Sequence, residues 1–252
     1  MRLRGGEPLL GTFVKSPDPA LAELLAAAGF AVLVVDLEHA PLEVRDVHAI
    51  ARAAAVHDAA TLVRLGRDQL PAAGRLLEAG IDGIQLAGVA DVEALEAPER
   101  AVRFPPHGDR GCSTSHRGAV FGRVPAAAYV AGEVALIAQV ESAAAVAALP
   151  ALLAADARPD AWFIGPVDLS CDLGHPGALD HPDVRAALDG AAVAIRAAGA
   201  TLGAFAATEG DAAAWRVRGA SYVVAGSDVT LLAQRADAVV RAWQDIPEED
   251  RT

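Results

Sequence analysis

Four short apolar runs in this chain end in side chains able to do acid–base or metal chemistry. VVDLEHAP carries Asp36, Glu38 and His39, and TLVR ends in Arg64. ALIAQVES ends in Gln139 and Glu141, and WFIGPVDLS sets Gly165, Pro166, Val167 and Asp168 after an apolar stretch. Glu141 and Asp168 are two carboxylates with no soft donor nearby, a set suited to a hard divalent cation that keeps several waters. The competing reading makes them a helix cap and a turn cap. The amides of Val167 and Asp168 form a candidate anion cradle, against an ordinary Gly-Pro turn. His39 is a candidate base, because carboxylates at Asp36 and Glu38 would hold its tautomer and raise its basicity. A lone histidine is otherwise structural. Arg64 would stabilise a developing enolate or ketone oxygen, or else is simply solvated.

These groups need elements that bring them together. Helical stretches ending in Gly29, Gly80, Gly199 and Gly219 are each followed within a few residues by an apolar strand. Glycine at a helix C′ position takes the left-handed conformation at little cost. The rhythm predicts parallel βαβ units, with strands near 9–14, 31–36, 60–64, 82–87, 134–139, 160–164, 201–206 and 221–225. Helices are expected near 18–28, 42–56, 69–79, 90–101, 142–155, 183–198, 209–218 and 228–243. Eight such units make a (β/α)₈ TIM barrel of the α/β class, whose carboxyl-end face carries the active site. Asp36, His39, Arg64, Gln139, Glu141 and Asp168 would then meet in one pocket. A doubly wound sheet is the structural rival. No Gly/Ser linker divides the chain, so 1–252 is read as a single domain. Residues 103–125, rich in Gly, Pro and Arg, form a long irregular loop able to reach a neighbouring subunit. PEEDRT at the end reads as a solvated tail.

The 252 residues match one barrel, and 53% hydrophobic content suffices for a large core. A net charge of −12 argues against nucleic acid and anionic membranes as partners. Cys112 and Cys171 make no disulfide framework and lack zinc-ligand spacing. With no signal-peptide pattern and no membrane-length apolar run, the expected setting is cytoplasmic. Lys15 is the one lysine of the chain, and beside SPDP it reads as a surface residue. It remains the sole nucleophile for a Schiff-base aldolase. His48, His57, His107, His116, His175 and His181 read as helix-surface or loop residues with no metal role.

VDLEHAP, the LVR at 62–64, RFPPHGDRG, QVES, FIGPVDLSCDLG and HPDV occur in order between about Gly11 and Trp243. Together they resemble the HpcH/HpaI family of metal-dependent 2-keto-3-deoxy acid and 4-hydroxy-2-oxo acid aldolases. The resemblance implies a barrel that binds Mg²⁺, Mn²⁺ or Co²⁺ through Glu141 and Asp168. It implies reversible retro-aldol cleavage to pyruvate, or hydroxypyruvate, and an aldehyde. Pyruvate would chelate the ion, with its carboxylate on the Gly165–Asp168 turn, Gln139 alongside, and Arg64 on the keto oxygen. His39 would be the base, paired with Glu78 of LLEAG. A homohexamer, a trimer of dimers exchanging the last helix, is also implied. Two departures, QLAGV after the fourth strand and CSTSHRG after RFPPHGDRG, are expected near the aldehyde. Alternatives are a Lys15 Schiff-base aldolase, a CoA-ester or phosphonate lyase on the same barrel, and a non-catalytic ketoacid-binding homologue.

Overall fold

A computed structural model describes residues 7–157 and 159–245; the PEEDRT tail lies outside them. Eight parallel strands close in sequence order into a barrel. They are β1 (Leu9–Val14), β2 (Val32–Asp36), β3 (Ala60–Leu65), β4 (Gly83–Leu86), β5 (Ala135–Val140), β6 (Ala161–Ile164), β7 (Leu202–Ala206) and β8 (Tyr222–Ser227). The doubly wound alternative is excluded, because β1 pairs with both β2 and β8. Runs such as VLVVD are buried along their full length, as strands covered on both faces must be.

Ten helices accompany the strands among the described residues: α1 (Pro19–Ala27), α2 (Val44–Ala54), α3 (Ala73–Glu78), α4 (Val92–Val102), α5 (Ala126–Ala131), α6 (Ala143–Ala154), α7 (Pro166–Asp172), α8 (Pro182–Ala197), α9 (Glu209–Val217) and α10 (Asp228–Gln244). Side chains start most of them: Asp18, Asp91, Ser142 and Thr208 each accept an amide from the first turn that follows. The expected third helix is shorter than its apolar pattern, with a 3₁₀ turn at Arg67–Ala72 around Pro71 taking its first half. Two helices were not foreseen. One is α5; the other is α7, which replaces the expected turn at GPVD.

Strand alternation makes two cores. Leu9, Phe13, Val34, Leu62, Ile137, Phe163, Tyr222 and Val224 fill the barrel. A larger set, including Leu33, Val63, Leu76, Leu136 and Ile195, packs strands against helices. The inward rows end, at the carboxyl face, in polar residues. The register sets Asp36 opposite Arg64 and Arg64 opposite Gln85, so charged groups sit directly above an apolar plug.

The 103–125 segment joins a helix end to a strand start and therefore lies at the opposite, amino-terminal face. Arg117 Nη1 donates to the carbonyls of Ala79 and Gly80 at 3.2 and 3.0 Å, and Nη2 to that of Ala51 at 3.4 Å. One side chain thus covers carbonyls near the ends of α3 and α2. The expectation that CSTSHRG borders the aldehyde is corrected within one chain; QLAGV does lie at the mouth. Among the described residues no helix is long and apolar enough to cross a membrane.

Candidate active site

Asp36 ends β2 fully buried, and its carboxylate is the anchor of the mouth. Arg64 at the end of β3 grips it with two bonds, Nε to Oδ1 at 2.9 Å and Nη2 to Oδ2 at 2.7 Å. Lys15, one residue past β1, donates from Nζ to Oδ2 at 2.5 Å. The amides of Glu38 and His39 donate to Oδ1 at 3.2 and 3.1 Å, which turns the EHAP segment over the strand end. Burial alone would raise the Asp36 pKa. The hydrogen bonds and charge of Arg64, with Lys15, outweigh it and hold the group at about 2. Arg64 also lies 3.4 Å from Glu38 and 4.3 Å over the Phe13 ring.

Lys15 is therefore not a surface lysine. It is a quarter exposed and lines the mouth cavity, whereas its sequence neighbours SPDP suggested solvent. The cavity has a volume of about 170 Å³. Lys15, Arg64, Gln139 and Asp168 supply its polar wall, and Phe13, Phe163 and Phe205 its apolar wall. Lys15 is fixed from behind, because its own amide and that of Ser16 donate to the two oxygens of Asp228 at 3.0 and 2.8 Å.

Across the cavity a chain of amides orients Glu141. Buried Tyr222 donates to Gln85 Oε1 at 3.1 Å, and Gln85 Nε2 donates to Gln139 Oε1 at 2.6 Å. Gln139 Nε2 in turn donates to Glu141 Oε2, and the Gly88 amide donates to Oε1 at 2.5 Å. Ser142, not Glu141, caps α6, so the helix-cap reading of Glu141 falls. Glycine at 165 leaves the two carboxylates room. A Cβ on it would meet Glu141 Cβ at 3.0 Å, Glu141 Oε2 at 3.2 Å and Asp168 Oδ2 at 3.7 Å. The two carboxylates thus border one small space in front of Gly165.

Burial pushes the Glu141 pKa up, and the charges of Glu38 and Asp168 push the same way. Glu38 is raised too, first by burial, with Asp36 and Asp168 adding to it. Glu141 and Asp168, two carboxylates beside Gly165, are donors of the kind a hard divalent cation takes. Pro166, Val167 and Asp168 form the first turn of α7, where amides lack an intrahelical partner. His39 is half exposed at the rim, its Nε2 3.7 Å from Glu38 Oε2.

Asp36, His39, Arg64, Gln139, Glu141, Gly165, Pro166, Val167 and Asp168 thus all lie at the carboxyl-end face. Glu78 does not. It ends α3 at the far face of the barrel, where its charge acts on Arg110 and Tyr129. The expected pairing with His39 is not formed within one chain. Gln85 and Tyr222 were missed as site residues, and Lys15 entered only as the nucleophile of the Schiff-base alternative. Lys15 obeyed the strand-end rule that picked out the others, and Gln85 is a polar residue inside the apolar run GIQL.

Residues 9–235 match the model of the HpcH/HpaI aldolase/citrate lyase family. A pyruvate aldolase of Rhizobium etli is 34% identical over 239 residues, 94% of this chain and 94% of that one. A 4-hydroxy-2-oxo-heptane-1,7-dioate aldolase of Salmonella typhimurium is 35% identical over 239 residues, 94% of this chain and 90% of that one. The crystal structure of an HpcH/HpaI aldolase/citrate lyase family protein from Burkholderia cenocepacia superposes with a TM-score of 0.90 at 32% identity. It covers 97% of this chain and 98% of that one.

Proposed function

This chain belongs to the HpcH/HpaI aldolase/citrate lyase family, and from that premise we propose that it is a divalent-metal-dependent pyruvate aldolase. It cleaves 4-hydroxy-2-oxo acids reversibly to pyruvate and an aldehyde. The observation that carries this reading is the pair Glu141 and Asp168 beside Gly165, with Gly165, Asp168 and Arg64 all lining the mouth cavity.

Glu141 and Asp168 would hold the ion, Mg²⁺, Mn²⁺ or Co²⁺. When bound it supplies Lewis-acid stabilisation of enolate charge, worth several kcal/mol. The carboxylate of the oxo acid lies on the first-turn amides of α7, at Val167 and Asp168. Gln139 lines that subsite and keeps Glu141 turned toward it. Arg64, oriented by Asp36, donates to the keto oxygen. His39 takes the C4 hydroxyl proton, with Glu38 beside it to stabilise the imidazolium. The C3–C4 bond then breaks, its electron pair passing into the pyruvate enolate while the aldehyde leaves. Protonation at C3 completes the turnover.

Lys15 has a different part. Its bond to Asp36 stops that carboxylate from being the counterion of Arg64 alone, so more of the guanidinium field reaches the substrate oxygen. The Lys15 Nζ is engaged with a buried carboxylate, which disfavours the Schiff-base alternative. Leu232, Val239, Val240 and Trp243 leave α10 with exposed apolar side chains, which supports a homo-oligomer assembled through that helix, with a hexamer the expected form. Two free, exposed cysteines suit a cytoplasmic setting.

The test is to supply racemic 4-hydroxy-2-oxo acids with Mg²⁺ or Mn²⁺ and measure pyruvate. Release that stops on chelation and returns with the ion is the expected result. Cleavage that survives exhaustive EDTA treatment, or a borohydride-trapped adduct on Lys15, overturns the assignment.

A further inference from the structure

Beyond α7 the chain doubles back through Gly174 and Gly177, both at positive φ, 81° and 72°. The reversal brings His175 against the first turn of α8. The imidazoles of His175 and His181 stack with centroids 3.4 Å apart and planes within 20°. Asp183 faces both, its Oδ2 3.5 Å from His175 Nε2 and 3.8 Å from His181 Nδ1. One nitrogen of each ring and one carboxylate oxygen all lie within 4.8 Å of one another. We propose that His175, His181 and Asp183 form a second metal site, separate from the barrel mouth and selective for a borderline transition ion such as Zn²⁺.

Donor chemistry separates the two sites. Imidazole nitrogen with one carboxylate suits Zn²⁺ or Co²⁺, whereas Mg²⁺ demands oxygen. Around a tetrahedral ion with bonds of about 2.0–2.1 Å, ligand atoms sit roughly 3.3 Å apart. The spacings from Asp183 Oδ2 to the two rings, 3.5 and 3.8 Å, are close to that, and the stacked imidazoles must splay apart for both lone pairs to meet one ion. His181 Nδ1 accepts the Asp183 amide at 3.3 Å. That lone pair is directed into the cluster, and an ion that takes it replaces the amide contact. Three protein ligands leave a fourth position for water. From sequence these histidines had no ligand spacing; the turn at 174–177 creates it. An ion here would tie the turn to α8 and so brace α7. The Gly177 amide already donates to Ser170 Oγ at 2.9 Å, two residues beyond Asp168. The site stands whether or not the aldolase assignment does.

The protein, saturated with Mg²⁺, is titrated with Zn²⁺ in a calorimeter and with Co²⁺ in a visible spectrometer. The expected result is one Zn²⁺ per chain in excess Mg²⁺, and a Co²⁺ spectrum showing nitrogen ligation. His175→Ala should weaken that binding by more than the roughly 10–100-fold that loss of an outer-shell partner costs. His181→Asn keeps a helix cap and should do the same, and pyruvate release by His175→Ala should be unchanged. No Zn²⁺ uptake by the Mg²⁺-saturated protein overturns the proposal, as does uptake indifferent to both variants. Uptake abolished by Glu141→Gln instead puts the ion in the barrel mouth, which sinks this site and leaves the aldolase reading standing.

Discussion

Asp36 carries the most consequence of any single side chain in the mouth. Its folded pKa, about 2, lies below the ordinary carboxylate value. The charged, paired form therefore contributes stability above about pH 4, and that contribution is lost as the pH falls toward 2. It amounts to about 2 kcal/mol. Asp36→Asn should lower the melting temperature at neutral pH, and the gap from the parent protein should narrow below about pH 4 and close near pH 2. An equal gap at every pH would show that the ion pair is not its source. Arg64→Ala and His39→Ala should each cut kcat by about 10²-fold, read in a pyruvate-release assay with melting temperatures as controls. Divalent ion at about 100 times its dissociation constant should stabilise the chelated protein by about 2.7 kcal/mol, and Glu141→Gln should abolish that increment in a thermal melt. These residues were legible in the sequence because each ends an apolar run. Gln85 and Tyr222 were not, because their meaning comes from meeting across the barrel interior, 137 positions apart.

At the scale of elements, all eight strands were foreseen, since a buried parallel strand is a short β-branched run bounded by turns. The short helices were not. GPVD reads as a turn from local chemistry, and only packing beyond β6 winds Pro166–Asp172 into a helix. The 103–125 loop was recognisable as unusual, yet its face of the barrel was not, because irregular composition carries no direction. A long loop can equally serve catalysis or stability. Arg117 decides for stability here, since its guanidinium reaches three carbonyls on two helices. Arg117→Ala should cost about 2 kcal/mol in denaturant unfolding while kcat and KM stay as they were. Altered kcat with intact stability would move this loop into the site. Glu78 fell at the wrong end for a related reason: a motif names a residue type, and a helix end on the amino-terminal face cannot reach the mouth of its own barrel.

For the molecule as a whole, the eight-unit rhythm sufficed for the fold and the ordered motifs for the family, while assembly was visible only through resemblance. The structure adds a physical ground for it. Of the seventeen residues of α10, only Asp228 is buried, and Trp243 is 75% exposed in the isolated chain. Exposed apolar side chains grouped on one helix are the usual mark of an interaction surface, so an interface between copies through α10 is the expectation. Trp243→Asp with Leu232→Asp should shift the sedimentation profile to smaller species. An unchanged profile would mean that α10 is not an interface between copies.

Asp228 links the first and eighth strands' ends: its carboxylate holds the backbone of Lys15 and Ser16, 213 and 212 positions earlier. During synthesis the lysine emerges 213 residues ahead of its clasp. A nascent chain stalled before residue 228 would therefore carry every acidic ligand and still lack the seam that steadies the cationic side of its mouth. Catalytic competence on the ribosome should arrive in one step, after the final helix clears the exit tunnel, rather than growing with each strand added.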